Sequence, residues 1–465
     1  MKFSLQQLVQ ALSSASMTAD ADIIGLSTDS RKIKTGDVFV ALRGDNFDAH
    51  DFLPQVAQTG AVAVIAERLP ADFQLPALIV PDTKMALAEV GRLWRKQFVM
   101  PVIGVTGSNG KTTVKEMIAA ILAAAFGEDY RLSTKGNLNN EIGVPLTVLE
   151  LRDTHQAAVI EMGMNHPGEI ALLASVALPT VVLVNNAQRE HQEFMQTVRA
   201  VAEENGSAIK ALPDNGVAVF PHNDEYSSLW RAYAQEHGLR KIISFGLSPD
   251  ADVAGTYTTS AFGSEIKLSI AGKISQIHLQ AAGEHNVLNA LAAAACCHAI
   301  GISNEVIVQG LENFHPVSGR LQRKQASCGA TVIDDTYNAN PDSVRAAIDV
   351  LKQLGGDTLL VLGDMGEVGD NGAQFHHEIG EYARASGISE LFLLGDQVQQ
   401  SAAGFGKAAQ YFTDIQQLLS ALDARVSKDS KVLIKGSRFM KMERVVAHLL
   451  NVTEISSQQK TIGTH

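Results

Sequence analysis

Behind Ser4, the apolar residues Leu5, Leu8, Val9 and Leu12 recur at helical spacing, so the chain is predicted to open on a serine-capped helix. Short apolar runs follow at Asp22 to Leu26, Val38 to Leu42, Ala61 to Ala66 and Ala77 to Val80, and they make residues 1–83 a small α/β unit. A helical pattern, Lys84 to Phe98, leads to a strand at Val102 to Thr106, a glycine-rich turn and a helix at Thr112 to Ala125, which begins a second unit over residues 84–313. Ala157 to Ile160 and Val181 to Val184 are wholly apolar and end in polar residues, as buried parallel strands do where their carboxyl ends open into a ligand crevice. From Phe245 to Leu279 the pattern becomes short alternating runs, an antiparallel hairpin, and a helix from Asn286 to Ile300 closes the unit. Strand and helix alternate again over residues 314–465, with strands at Thr331 to Asp334, Thr358 to Leu362, Leu391 to Leu394 and Lys431 to Ile434 and a helix at Asp342 to Leu354. The expected fold class is α/β in three domains, the last two each built on a mostly parallel sheet. Asn451 to His465 are polar and expected to fray.

The length of 465 residues is ample for several buried cores, and 46% hydrophobic with 19% charged residues is an ordinary globular balance. A net charge of −12 repels nucleic-acid backbones and anionic lipid, so any anionic ligand needs a local positive pocket. Three cysteines, two of them adjacent at Cys296 and Cys297, offer neither a disulfide framework nor a metal knuckle and fit a reducing cytoplasm. The longest apolar runs, Met117 to Phe126 and Ala290 to Cys297, are too short to span a bilayer, and Met1 to Leu5 carry no export signal.

The strongest chemical signal is Gly104-Val105-Thr106-Gly107-Ser108-Asn109-Gly110-Lys111-Thr112-Thr113, set between strand and helix. Glycines let backbone N–H groups approach a phosphate at a helix N-terminus, Lys111 adds a point charge for the β and γ oxygens, and the Thr112 hydroxyl suits Mg2+. Val105 stands where the usual phosphate-loop pattern has its first glycine, so the loop is a variant. ATP is favoured over GTP because no guanine-reading NKxD-type motif occurs.

Other polar groups fall at predicted strand ends. Glu161 follows one strand and can hold Mg2+; His191 lies beyond the next. His285, Asn286 and Asn289 cluster at the start of an alanine-rich helix, either as a polar cap or as a site. Asp335, Tyr337 and Asn338, between a strand and the proline that opens the next helix, suit ribose or nucleotide recognition. Arg320 and the run Lys435-Gly436-Ser437-Arg438 supply cations for phosphate or carboxylate.

These residues resemble the Mur ligases, which join amino acids to a nucleotide-linked muramoyl peptide in bacterial wall synthesis. Thr106 to Thr113 resembles the family's ATP loop, Gly283-Glu284-His285-Asn286 with Asn289 its central-domain motif, and Arg320 its arginine facing the γ-phosphate. Asp335 to Pro341, Leu362 to Glu367 and Lys135 to Gly143 resemble the branch that adds D-alanyl-D-alanine to a uridine-linked muramoyl tripeptide. The resemblance implies a UDP-binding domain first, with Ser27, Asp29, Ser30, Arg31, Arg43, Gly44 and His50 at the uridine end, then an ATP-binding domain and a Rossmann-like domain. It further implies that Thr112 and Glu161 hold a first Mg2+, His191 a second, Asp335 the ATP ribose, and Asn137, Asn139 and Asn140 the muramoyl substrate. A soluble monomer acting on small molecules, with no nucleic-acid partner, is expected.

One stretch departs from the family. Its members commonly carry, after that histidine, a carbamylated lysine that helps the second metal; here the aligned run reads Ala202-Glu203-Glu204-Asn205-Gly206, with Asn205 in the lysine's place. Direct substitution by Glu204 or Asn205, or substitution through water, are the alternatives. Amide formation by this family implies an acyl phosphate, so two anions must meet among Lys111, Arg320 and the cations. Another muramoyl-peptide ligase, a folylpolyglutamate-type ligase and a regulatory nucleotide switch are the competing readings.

Overall fold

In the computed structural model, residues 2–451 are described, apart from residues 13, 45, 190, 191, 237, 239, 261 and 367. His191 and the polar tail from residue 452 therefore lie outside the described residues.

Ser4 caps the first helix, Leu5–Ala11, in a reciprocal box with Gln7, as its hydroxyl and the helical apolar spacing require. The run Asp22 to Leu26 is two strands rather than one. Asp22–Ile23 pairs antiparallel with Phe3–Ser4, and Gly25–Ser27 pairs parallel with Asp37–Val40, with the exposed Ile24 between them. Gly25–Ser27, Asp37–Val40, Ala63–Ala66 and Ala77–Ile79 form the parallel part of a five-stranded sheet whose far edge is Ser16–Met17.

The helix Thr83–Arg95, capped by Asp82, ends three residues before the predicted Phe98. Its buried face, including Leu87, Val90 and Trp94, joins the core of the first sheet to that of the central one. The central sheet has nine strands, ordered Lys273–Leu279, Ser264–Ile270, Val253–Thr259, Lys241–Gly246, Val217–Pro221, Val181–Val184, Val102–Thr106, Ala157–Glu161 and Arg131–Ser133. Only the first three pair antiparallel; the predicted hairpin is there, extended by Val253–Thr259. From Val102–Thr106 the chain moves to strands on one side, then crosses to Val181–Val184 on the other. A sheet that reverses its strand order in this way leaves a crevice at the carboxyl ends of the central strands.

A third sheet of six strands runs Gln322–Gln325, Thr331–Asp335, Ser430–Lys435, Asp357–Gly363, Glu390–Leu394 and Ala409–Phe412, parallel throughout except at its first pair. No helix among the described residues is long and apolar enough to cross a membrane.

Candidate functional site

The strand Val102–Thr106 delivers the chain to a loop that ends at the helix Lys111–Phe126. Two of its glycines are required by geometry. Gly107 has φ +133°, and a Cβ there would stand 3.0 Å from the backbone nitrogens of Asn185 and Asn186. Gly110 has φ +82°, and its Cβ would lie 2.5 Å from Asn289 Oδ1. Lys111 Nζ donates to the carbonyls of Gly107 (2.5 Å) and Ser108 (3.1 Å), which keeps its positive charge over the loop.

Asparagines from two other elements brace this loop. Asn185 and Asn186 follow the strand Val181–Val184, and both donate through Nδ2 to the Asn109 carbonyl, at 2.8 and 3.0 Å. Asn186 Oδ1 also accepts from Asn109 N (2.9 Å), and Asn185 Nδ2 bonds Asn289 Oδ1 (3.0 Å), which brings in the helix Glu284–Ala299. Asn286 turns back to the Ala282 carbonyl, and burial pushes the His285 imidazole below its usual value, so the ring stays neutral beside the cavity.

Thr112 is the pivot of the site. Its hydroxyl donates to Glu161 Oε1 (3.1 Å) and accepts from Arg320 Nη2 (2.9 Å), and Arg320 lies 4.1 Å above the Tyr337 ring. Glu161 Oε1 also accepts from Asn139 Nδ2 (2.8 Å). Glu161 is 2% exposed, and its Oε2 has no hydrogen-bond partner among the described residues. A buried, unpartnered carboxylate oxygen beside a threonine hydroxyl is a donor set that suits a hard divalent cation such as Mg2+.

From the third sheet, Asp335 accepts from Lys435 Nζ (2.5 Å) and from Leu321 N (3.1 Å), and Lys435 also donates to the Asn338 carbonyl (2.8 Å). These groups and the loop enclose one cavity of about 990 Å3. Its wall includes Ser108, Asn109, Gly110, Lys111, Thr112, Thr113, Glu161, His285, Asn286, Asn289, Arg320, Asp335, Tyr337, Asn338, Lys435 and Arg438, together with Asn137, Asn139, Asn140 and Gly44.

Other expected site residues are placed elsewhere. Gly107 and Ser437 are not on the wall; Ser437 instead accepts from Gly366 N and donates to the Ala339 carbonyl (3.3 Å), tying two loops together. Asn140 lines the cavity but spends its Oδ1 on the amides of Ile142 and Gly143, at the start of the helix Gly143–Leu149.

Ser27 ends one strand of the first sheet, with Asp29, Ser30 and Arg31 just after it, and Arg43 follows the parallel neighbour Asp37–Val40; all lie outside this cavity. Asp29 holds Arg31 in a two-point pair, and that guanidinium keeps the Asp29 carboxyl below its ordinary range. His50 is a correction: it is buried, its Nδ1 faces Asp48 Oδ1 at 2.6 Å, and its Nε2 accepts from Glu67 N at 2.9 Å. Both ring nitrogens are engaged, so His50 fastens the end of its own sheet rather than meeting a substrate. The two proposed stand-ins for the family's lysine are corrected as well. Both Glu204 oxygens accept from the amides of Gly168 and Ile170, Asn205 turns to the back of the loop, and neither reaches the cavity.

Residue-by-residue reading missed Asn185, Asn186, Gln188 and Arg189, although they stand at a strand's carboxyl end, the same signal that singled out Glu161.

Three Mur ligase models match the chain: "Mur ligase family, catalytic domain" over residues 22–91, "Mur ligase middle domain" over 105–297, and "Mur ligase, glutamate ligase domain" over 319–438. The chain belongs to the Mur ligase family. Within the family it is similar to the UDP-N-acetylmuramoyl-tripeptide--D-alanyl-D-alanine ligase of Escherichia coli K12, at 39% identity across 96% of this chain and 98% of that one. The crystal structure of MurF from Acinetobacter baumannii superposes with a TM-score of 0.90 at 35% identity, covering 97% of this chain and 99% of the other. MurF of Thermotoga maritima in complex with ADP aligns at a TM-score of 0.82 and 27% identity, covering 92% and 97%.

Proposed function

We infer that this chain is the ATP-dependent ligase that adds D-alanyl-D-alanine to UDP-N-acetylmuramoyl-tripeptide in peptidoglycan synthesis. One observation carries the reading: Lys111, Thr112, Glu161 and Arg320 meet at a single cavity in a chain colinear, over nearly its whole length, with ligases of that name.

Joining a carboxylate to an amine in water is uphill, so the tripeptide's terminal carboxylate first attacks the γ-phosphorus of ATP and ADP leaves. The neutral dipeptide amine then attacks the acyl carbon of that acyl phosphate, phosphate departs, and the nitrogen gives up one proton to leave the amide N–H. The first step brings one anion against another. Lys111 and Arg320 lower that repulsion from two sides, and loop amides oriented by Asn185 and Asn186 stabilise charge as it shifts to the leaving oxygens. Thr112 and Glu161 would hold Mg2+, which when bound supplies further neutralisation of phosphate charge. His191 is the candidate for a second ion. Asp335, paired with Lys435, can accept from a ribose hydroxyl, and Asn139 beside Glu161 suits the muramoyl peptide.

Ser27, Asp29, Ser30, Arg31 and Arg43 at the edge of the first sheet, together with Gly44 on the cavity wall, are assigned to the uridine nucleotide, with units divided near residues 83 and 313. The enzyme is placed in the cytoplasm as a monomer, a setting in keeping with three free cysteines. Phosphate release measured with ATP and each substrate singly and together tests the function. Release only when the UDP-peptide and D-alanyl-D-alanine are both present is expected; release without an acceptor would point to a nucleotide switch instead.

A further inference from the structure

The helix Val198–Lys210 runs behind the phosphate loop, held in place by the Trp230 indole, which donates to the Ala202 carbonyl (2.9 Å). The other buried residues of this helix, Val201, Ala202, Gly206, Ala208 and Ile209, are apolar or small. Asn205, 1% exposed, is the exception. Its Oδ1 accepts from Thr106 Oγ1 and from Gly107 N (3.0 Å). Because Gly107 N–H must donate, the oxygen assignment of this amide follows from the contact itself.

Thr106 is the last residue of its strand and Gly107 the first of the loop, so one side-chain oxygen fastens the peptide at which the strand becomes the loop. Only glycine fits there: Gly107 has φ +133° and no room for a Cβ. Asn205 Nδ2 has no partner among the described residues. An apolar side chain of similar size would fill the position without that cost, so the two accepted bonds are what the residue is there to make.

The same helix offers no amine to the loop. Its lysine is Lys210, at the last turn, 4.1 Å from the Tyr233 ring on the outer surface. An amide does not add carbon dioxide, and Glu204 is committed to the helix Glu169–Ala177.

We propose that Asn205 is a positioning residue for phosphoryl transfer, holding Thr106 and Gly107 so that Lys111 and the following amides converge on the nucleotide, and that the enzyme works without a carbamate at this position. The proposal rests on the functional reading above for the reaction, but not for nucleotide binding. Removing a buried acceptor that serves two donors is expected to weaken nucleotide binding on the order of tenfold or more.

The test is calorimetric ADP affinity, with KM for ATP and for D-alanyl-D-alanine, in the full-length wild type, Asn205→Ala, Asn205→Asp and Thr106→Val. Asn205→Ala should bind ADP about tenfold more weakly and raise KM for ATP about tenfold, with KM for the dipeptide unchanged. Asn205→Asp, which keeps an acceptor oxygen, should recover part of that loss, and Thr106→Val, which removes one of the two donors, should show a smaller shift in the same direction. Wild-type rates should be equal in carbon-dioxide-free and bicarbonate-supplemented buffer. A folded Asn205→Ala with wild-type ADP affinity overturns the positioning role; if that variant does not fold, unchanged affinity in Thr106→Val does so. Stimulation by bicarbonate overturns the carbamate-free half. A wild type that binds ADP but never ligates the dipeptide overturns the functional reading and leaves Asn205 to be judged by affinity alone.

Discussion

Lys111 and Glu161 carry opposite charges on the wall of one cavity, and each has its own expected phenotype. If Lys111 supplies charge for phosphate oxygens as proposed, Lys111→Ala should lower kcat by on the order of 10²–10³ while the protein melts near the wild-type temperature. Glu161 is buried with one oxygen bonded to Thr112 and Asn139 and the other unpartnered. Glu161→Gln can keep the first pair of bonds but replaces the free oxygen with a donor. The Mg2+ concentration for half-maximal ligation should therefore rise at least tenfold, roughly what loss of one charged interaction costs; an unchanged Mg2+ titration would remove Glu161 from the cation site. Their place at one cavity was legible beforehand, because a GKTT turn between strand and helix and an acid at a strand's end are local patterns. The structural duty of His50 was not, since its Nε2 partner, the Glu67 amide, is supplied by a separate stretch of chain.

Among the elements, the helix Gly372–Ala385 carries His376 fully buried, with Nδ1 facing the Gly372 carbonyl (2.7 Å) and Nε2 accepting from Met365 N (3.0 Å). It thereby positions the loop that leads to Gly366 on the cavity wall. Burial pushes this imidazole down, against the smaller opposing pulls of the Gly372 carbonyl and Asp364. The folded protein resists a proton that the unfolded chain accepts near pH 6.5, so stability is full above about that pH and falls as pH drops toward the depressed folded value. Thermal melts should show Tm declining below about pH 6.5, and His376→Gln should flatten part of that slope. The helix Pro341–Leu354 is capped by Asn340, which accepts from Ser343 N (2.8 Å) and also donates to Asn109 Oδ1 (2.9 Å) in the phosphate loop. Asn340→Ala should cost about 1 kcal/mol in chemical denaturation and, unlike an ordinary cap, also raise KM for ATP.

At the scale of the whole molecule, the contacts that close the central unit on the last one include Arg320 to Thr112, Asn340 to Asn109, and Arg189 to Asp342 (2.6 Å), with Glu378 at 3.7 Å. Nucleotide bound between them should favour this closed arrangement. Small-angle scattering is expected to give a smaller radius of gyration with a non-hydrolysable ATP analogue than without it; identical curves would reject closure. The Arg189 pair is partly solvated and is worth at most about 1 kcal/mol. Arg189→Ala should accordingly raise KM for ATP only a few-fold while shifting the free protein toward the open form.

The strand–helix alternation around the phosphate loop, the loop itself and the acid at the neighbouring strand's end were determined by the sequence alone, because each depends on neighbours within a turn or a strand. The split of Asp22 to Leu26 into two strands shows where that stops: a partner at Phe3–Ser4 captures one half and Asp37–Val40 the other. Arg320 lies 208 residues from Thr112, Asn340 lies 231 from Asn109, and Asn205 lies 99 from Thr106. No local periodicity encodes such separations. Sheet order and the docking of the third sheet against the second decide them, and with them which polar groups share one cavity and which turn to the back of the loop.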